Sequence, residues 1–138
     1  MKVRKSIMNE AYSISTVKMS PIEKNEYFAG LKEYLDELNG EYDYWYMALD
    51  EMDDGRVYLS IYPQEISAHD DEIGDFDIDA NEVLNGETYV ADYYKNDPEL
   101  FAKISEQVRE EHDDILKFEF PKIAREWGFQ RTNSAYHK

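Results

Sequence analysis

The chain has 138 residues and a formal net charge of −16, from 31 acidic and 15 basic residues. Its length fits a single domain over 1–138 with one modest core, and excludes a barrel enzyme or a two-domain dinucleotide-binding enzyme. The absence of cysteine excludes disulfides, thiolate catalysis and zinc–thiolate or iron–sulfur sites.

The N-terminal part predicts a strand followed by a helix. Large residues alternate with serine over 12–16, which is typical of a half-buried strand, and the phase then shifts as at a bulge. Ser20 and Glu23 have the spacing of a capping box around Pro21, which suits the first position of a helix. An apolar stripe follows and Asn39-Gly40 ends it, so we predict a helix over 21–39.

The middle of the chain predicts a β-hairpin. Segments 42–50 and 56–62 are aromatic and alternating, and 51–55 between them ends in Asp54-Gly55, a sequence typical of a tight turn. Pro63 should end the second strand because proline cannot donate to a ladder. We therefore predict a central hairpin over 42–62.

The acidic stretch after the hairpin predicts a loop and then a short strand. His69-Asp70-Asp71-Glu72 has the composition of a charged loop. Strict alternation over 75–79 indicates an edge strand with Phe76 and Ile78 inward. The segment 88–94 fits a strand or a helix equally well.

The C-terminal part predicts helices. Asp97-Pro98 is typical of a helix start, and an apolar face continues to about 120, where Pro121 indicates a break or a kink. A short last helix should end at Gly128, and the tail from Gln130 should be frayed. The whole pattern predicts an α+β fold, with a small antiparallel sheet (central hairpin 42–62) packed against helices 21–39 and 98–120.

Neither a membrane span nor a secretory signal is indicated. No apolar run approaches the roughly 18 residues of a span. The first ten residues include bases but lack a continuous hydrophobic segment. We expect a cytoplasmic protein without a membrane partner. The use of Tyr, Asn, Lys and Ile is compatible with an AT-rich bacterial or phage genome, which favours a bacterial host cell.

The negative charge is concentrated in the middle of the sequence. Residues 33–94 contain nineteen acids and one base, Arg56, for a net of −18, whereas 1–32 carry +3 and 95–138 carry −1. Acidity for solubility alone and halophilic acidity are the ordinary explanations, although halophilic acidity usually covers the whole surface. Disorder is disfavoured because twenty aromatic residues are interleaved with the acids. Direct binding of nucleic acid is disfavoured because phosphates are bound by Lys and Arg.

No catalytic or metal motif stands out. There is no Gly-x-Ser-x-Gly and no glycine-rich phosphate loop. Asp75, Asp77 and Asp79 match positions 1, 3 and 5 of a calcium loop, but Ala80 and Gly86 replace the required Gly and Glu. His112, among acids on a predicted helix, is interpreted as a solvated side chain, with a metal ligand or base that pairs with a carboxylate of another element as the alternative. Paired carboxylates for glycoside hydrolysis cannot be singled out among 31 acids. We expect no enzyme activity, no cofactor and no metal site.

The segregated charge instead predicts a partner-binding surface. Alternate carboxylates on a strand lie about 6.6 Å apart on one face, close to the step between successive phosphates of a nucleic-acid strand. Exposed tyrosines of the hairpin, from among Tyr44, Tyr46, Tyr58 and Tyr62, would stack on arginines of the partner. We expect at least half of these four to pack in the core of the domain instead. The residues that we predict to bind the partner are Asp50, Glu51, Asp53, Asp54, Asp70, Asp71, Glu72, Asp75, Asp77, Asp79, Glu82, Tyr44 and Tyr58.

The predicted function is non-enzymatic inhibition. The partner is a basic nucleic-acid-binding protein, such as a nuclease, whose groove the acidic face occupies. In composition the chain resembles the small acidic nucleic-acid mimics that phages use against restriction or CRISPR nucleases; no motif carries the resemblance. Two alternatives stay open: an immunity protein or antitoxin that neutralises a basic toxin nuclease, and a small enzyme or regulatory domain whose acidity is incidental. Whether the chain forms a homodimer also stays open.

Overall fold

A computed structural model describes residues 11–70 and 74–132. These residues form an α+β fold in which a four-stranded antiparallel sheet packs against helices, as the sequence predicts. The elements in chain order are β1 (Ala11–Ser15), α1 (Pro21–Asn39), β2 (Trp45–Glu51), β3 (Arg56–Pro63), β4 (Glu65–Asp70), β5 (Gly74–Asp79), α2 (Ala80–Leu84), α3 (Thr88–Tyr93), α4 (Pro98–Asp114), a π-helical turn (Ile115–Glu119), α5 (Phe120–Trp127) and β6 (Gln130–Thr132).

Helix α1 has the predicted bounds, and its start is a capping box. The Ser20 hydroxyl accepts from the Glu23 backbone N–H at 3.2 Å, and the Glu23 carboxylate accepts from the Ser20 N–H at 2.9 Å. The two bonds satisfy donors that the first helical turn leaves open. The helix buries Phe28, Leu31 and Leu35, so the apolar stripe faces the core. The predicted bulge at 17–19 is wrong, because β1 ends at Ser15 and a turn follows.

The main sheet has the strand order β2-β3-β1-β6, and every neighbouring pair in it is antiparallel. The predicted hairpin is confirmed, but β2 begins at Trp45 rather than at residue 42. The Glu111 carboxylate accepts from the backbone N–H groups of Asp43 and Tyr44 at 2.9 and 2.8 Å. These N–H groups therefore bond to a helix side chain instead of continuing the strand.

A second hairpin, β4–β5, follows the first. The predicted strand 75–79 is confirmed as β5, which begins one residue earlier and pairs antiparallel with β4. The prediction of a loop is wrong for His69 and Asp70, since both belong to β4, whereas Asp71 and Glu72 lie outside the described residues. The alternation over 65–70 is weak, and pairing with β5 decides its conformation.

The helical run from Pro98 to Trp127 is unbroken. It passes through a π-helical turn, 115–119, which ends two residues before Pro121. Proline lacks an N–H and crowds the carbonyl four residues before it, and a π turn is one way for a helix to accommodate such a residue. Gly128 ends the run at φ +79°, as predicted. The predicted frayed tail is wrong for 130–132, which form β6, and the ambiguous segment 88–94 is helical up to Tyr93.

The core lies between the helices and one side of the main sheet. Trp45 is 2% exposed, and its indole N–H donates to the Val108 carbonyl of α4 at 2.9 Å. Ile78 of the second hairpin is fully buried in the same cluster, together with Ile115 and Ile123 of the C-terminal helices. The sheet, both hairpins and the long helices therefore share one hydrophobic core. Within the described ranges, no helix has the length and apolarity needed to cross a bilayer.

Candidate anionic interface

The hairpin β2–β3 has one buried side and one open side. Residues 45, 47, 57 and 59 are buried and face the helices. Because side chains alternate along a strand, the residues between them lie on the other side of the sheet. The register pairs Tyr46 with Tyr62, Ala48 with Ser60, and Asp50 with Tyr58 on that side.

Two tyrosines lie stacked on the open side. The rings of Tyr46 and Tyr62 have centroids 5.5 Å apart, and the side chains are 39% and 36% exposed. The Tyr62 hydroxyl donates a hydrogen bond to the Asp50 carboxylate. This bond and partial burial raise the pKa of Tyr62 to about 12. The folded chain thus favours the protonated phenol, which is the form that donates this hydrogen bond.

A second tyrosine–aspartate pair follows towards the turn. The Tyr58 hydroxyl donates to Asp54 at 2.8 Å, and the backbone N–H of Arg56 donates to the same carboxylate at 3.1 Å. The prediction of an exposed ring is wrong for Tyr58, which is 6% exposed. Arg56, the one base of 33–94, donates from Nε to Ser13 on β1 at 2.7 Å. We call the five residues Tyr46, Asp50, Asp54, Tyr58 and Tyr62 the tyrosine–aspartate stripe.

Tyr44 lies away from the stripe. Its hydroxyl donates to the Gln107 side chain of α4 at 2.9 Å, and its ring is half-buried against the core. Burial, together with the nearby charges of Asp43 and Glu111, raises its pKa. The ring therefore joins the hairpin to α4 and is only partly exposed.

The turn of the first hairpin combines acids with exposed apolar side chains. Asp53 and Asp54 are exposed there, and Glu51 forms an ion pair with Lys24 of α1. Met52 is 46% exposed in the same turn, and Val17 of the β1–α1 connection is 75% exposed. Val17 lies next to the turn, since a Cβ placed on Gly55 would be 3.3 Å from its side chain.

The second hairpin places most of its acids at alternating positions. Positions 75, 77 and 79 pair with 69, 67 and 65, so Glu65 lies directly opposite Asp79. Ile78 is buried, and strand periodicity puts Asp79, the residue after it, on the opposite side of the strand. Asp79 also caps α2: its carboxylate accepts from the Glu82 N–H at 2.8 Å, and the Glu82 carboxylate accepts from the Asp79 N–H at 3.0 Å.

The predicted interface residues therefore form two groups. The acids of the first turn directly precede β3, and Asp70 is the last residue of β4. The first-turn acids and Asp70 are therefore separated along the chain by the whole of β3 and β4. Gln64 joins the hairpins: its N–H donates to Tyr44 at 2.8 Å, and its carbonyl accepts from the Ala80 N–H at 3.1 Å. The stripe and first turn form one group, and the β4–β5 hairpin with Glu82 forms the other.

The structure also shows a carboxylate cluster that the sequence analysis missed. The Tyr42 hydroxyl lies within hydrogen-bond distance of Asp114 and, at 3.2 Å, of Glu119. Burial first, and then these carboxylates, raise the pKa of Tyr42. The second oxygen of Glu119 is buried and, among the described residues, has no partner. The acids belong to the nearly neutral segment 95–138, so a count of charge along the chain gives no signal of them.

His112 is partly buried rather than solvated. Its ring centroid lies 4.7 Å from that of Trp45. Burial lowers its pKa, and the charge of Asp113 opposes the shift in part. The interpretation of a solvated side chain is wrong because the helix face with His112 turns towards the sheet.

The described ranges contain no group of three or more acidic or histidine side chains placed to hold a metal ion. Comparisons of the chain with protein-family models, with curated proteins and with solved structures returned no match. The case for a function therefore depends on the geometry and charge of the two surfaces.

Proposed function

We propose that this protein is a non-enzymatic inhibitor that binds the basic nucleic-acid-binding groove of a target protein through the two acidic hairpins. The observation that carries the proposal is the excess of acids in the segment 45–79, which contains eleven acids and one base. Nine of these acids lie in β2 to β5 or in the turn of the first hairpin, and the other two, Asp71 and Glu72, lie outside the described residues.

The second hairpin supports a role for the charge itself. Like charges directly opposite each other on paired strands destabilise a sheet, and Glu65 is opposite Asp79. Two more aspartates occupy positions 75 and 77 at steps of about 6.6 Å along the same strand. A row of anions at this spacing matches cations that normally contact successive phosphates, and its field accelerates encounter with a basic partner.

The tyrosine–aspartate stripe supports the same class of partner. Exposed aromatic faces attract guanidinium groups, and a neighbouring carboxylate accepts their hydrogen bonds. Tyr46 and Tyr62 provide the faces and Asp50 the carboxylate. Of the four hairpin tyrosines that the sequence offers for this role, Tyr46 and Tyr62 are the two with exposed side chains. An arginine-rich groove is complementary to this surface, whereas nucleic acid itself would be repelled by it.

Capture of the partner tests the proposal. The wild-type protein and the variant D75N/D77N/D79N are immobilised, exposed to bacterial lysate and eluted with rising salt. We expect basic nucleic-acid-binding proteins to be retained by the wild type, released by salt and lost with the variant. Asparagine also caps helices, so D79N preserves the start of α2. A partner that both forms retain equally would contradict the proposal.

A matched control removes the same number of charges elsewhere. Glu106, Glu110 and Glu126 are exposed on α4 and α5, so the variant E106Q/E110Q/E126Q has the same net charge as the hairpin variant. It should retain the partner. The identity of the captured protein then distinguishes a nuclease of bacterial defence, our proposal for a cytoplasmic host-cell target, from a toxin nuclease that an immunity protein would neutralise.

A further inference from the structure

A cleft separates α1 from the hairpin β2–β3 on the side of the sheet that faces this helix. Its volume is about 450 Å³, which lies within the range of about 300–1,000 Å³ typical of small-molecule sites. Phe28, Leu49 and Val57 form an apolar floor. Phe28 and Val57 are buried, so the floor belongs to the packed core.

Two lysines of α1 line the same cleft. Lys24 and Lys32 stand four residues before and four residues after Phe28, which puts all three on one face of the helix. The following 62 residues, 33–94, contain only one further base. The cleft therefore combines an apolar floor with a local concentration of positive charge in a strongly anionic protein.

Glu51 already pairs with one of the two lysines. Its carboxylate forms an ion pair with Lys24 from the end of β2, and it also lines the cleft. The Lys24 side chain is 31% exposed and that of Glu51 is 60% exposed, so the pair lies at the opening rather than in the core. An exposed pair of this kind is worth about 0–1 kcal/mol, and an incoming anion can replace it.

We propose that this cleft binds a small amphipathic carboxylate, with its apolar body on Phe28, Leu49 and Val57 and its carboxylate at Lys24, where the charge of Lys32 adds to the attraction. Glu51 acts as an internal competitor, because it contacts Lys24 when the ligand is absent. The inference does not depend on the proposed inhibitory function, which concerns the tyrosine–aspartate stripe, the first turn and the second hairpin. Glu51 is the one residue that both proposals use.

Octanoate is the probe for the test. Acetate is the control that has the carboxylate without the apolar tail, and octanol is the control that has the tail without the charge. The ¹⁵N-labelled full chain is titrated with each compound, and amide shifts are followed by NMR. We expect saturable shifts with octanoate in 24–32 and 49–57, and much weaker binding of both controls. Octanol binding as tightly as octanoate, or no saturable shift with octanoate, would overturn the proposal.

Three variants test the arrangement of charges. We expect K24Q and K32Q each to weaken octanoate binding severalfold, up to about tenfold. E51Q removes the competitor and should tighten binding by about two- to fivefold, the equivalent of an exposed ion pair. Unchanged spectra outside the cleft show that each variant is folded. An E51Q variant that binds octanoate no better than the wild type would contradict the role of Glu51, and with it the proposed position of the carboxylate.

Discussion

The Tyr62 hydroxyl donates to the carboxylate of Asp50 on the open side of the hairpin, twelve residues before it in the chain. The bond crosses from β3 to β2, and the Tyr62 ring lies stacked on Tyr46. It therefore fixes one exposed ring and one carboxylate relative to each other. The relationship explains how a surface rich in carboxylates also keeps a defined shape.

This bond predicts a pH dependence of stability. Asp50 and partial burial raise the pKa of Tyr62 to about 12 in the folded chain, against a reference value of 10.0. Because the folded chain favours the protonated phenol, Tyr62 adds to the free energy of unfolding. This contribution is complete below pH 10 and disappears as the pH rises through 12. Between these values the free energy of unfolding should fall less in Y62F than in the wild type. Urea unfolding at several pH values measures this, and equal slopes for both proteins would contradict it.

The second hairpin predicts that removal of charge stabilises the fold. In D75N/D77N/D79N the repulsion between Asp79 and Glu65 is relieved while the cap of α2 is kept. We expect a rise of about 0.2–1 kcal/mol in the free energy of unfolding. D54N is the contrasting variant, because Asp54 accepts from Tyr58 and from the Arg56 backbone. It should destabilise, and urea unfolding that places the two variants on the same side of the wild type would contradict this account.

Substitution by alanine should have opposite effects on stability at two of the glycines. Gly30 lies inside α1, and an added Cβ would be 3.7 Å from Trp127, an ordinary contact, so G30A should stabilise by about 0.5–1 kcal/mol. Gly128 ends α5 at φ +79°, and G128A should destabilise by about 1–2 kcal/mol. Thermal unfolding of both variants gives the signs. A destabilising G30A would show that the contact with Trp127 is tighter than the structure places it.

His112 predicts loss of stability in acid. Burial beside Trp45 lowers its pKa below the reference value of 6.5. The unfolded chain therefore binds the proton more readily, so this contribution to stability is complete above pH 6.5 and is lost as the pH falls through the lowered pKa. Between pH 7 and pH 5, H112Q should lose less stability than the wild type. The comparison with the wild type cancels the common effects of the other titrating groups.

Local signals in the sequence were enough to predict most of the helices and strands. The Ser20–Glu23 capping box, the Asp54-Gly55 turn and the alternation over 75–79 each depend on nearby residues, and each predicted element is present. The errors occur where contact with residues distant in the sequence determines the local conformation. Glu111 removes residues 43 and 44 from β2, and pairing with β5 makes a strand of 65–70.

The sequence predicted the acidic residues of the candidate site better than it predicted which of its tyrosine rings are exposed. Alternation places Tyr44, Tyr46, Tyr58 and Tyr62 in the hairpin without telling which rings are covered. The structure covers Tyr58 and joins Tyr44 to Gln107, and it leaves Tyr46 and Tyr62 exposed. Helix α4 decides the position of Tyr44, and the sequence of the hairpin contains no information about that contact.

The central claim is that the acidic hairpins compete with nucleic acid for a basic groove. Displacement is its most direct measurement: the captured partner is bound to fluorescently labelled nucleic acid and titrated with this protein while anisotropy is followed. The account predicts that the wild type and E106Q/E110Q/E126Q release the nucleic acid and that D75N/D77N/D79N does so much less well. A partner that binds this protein and its nucleic acid at the same time, or equal displacement by all three forms, would contradict the account.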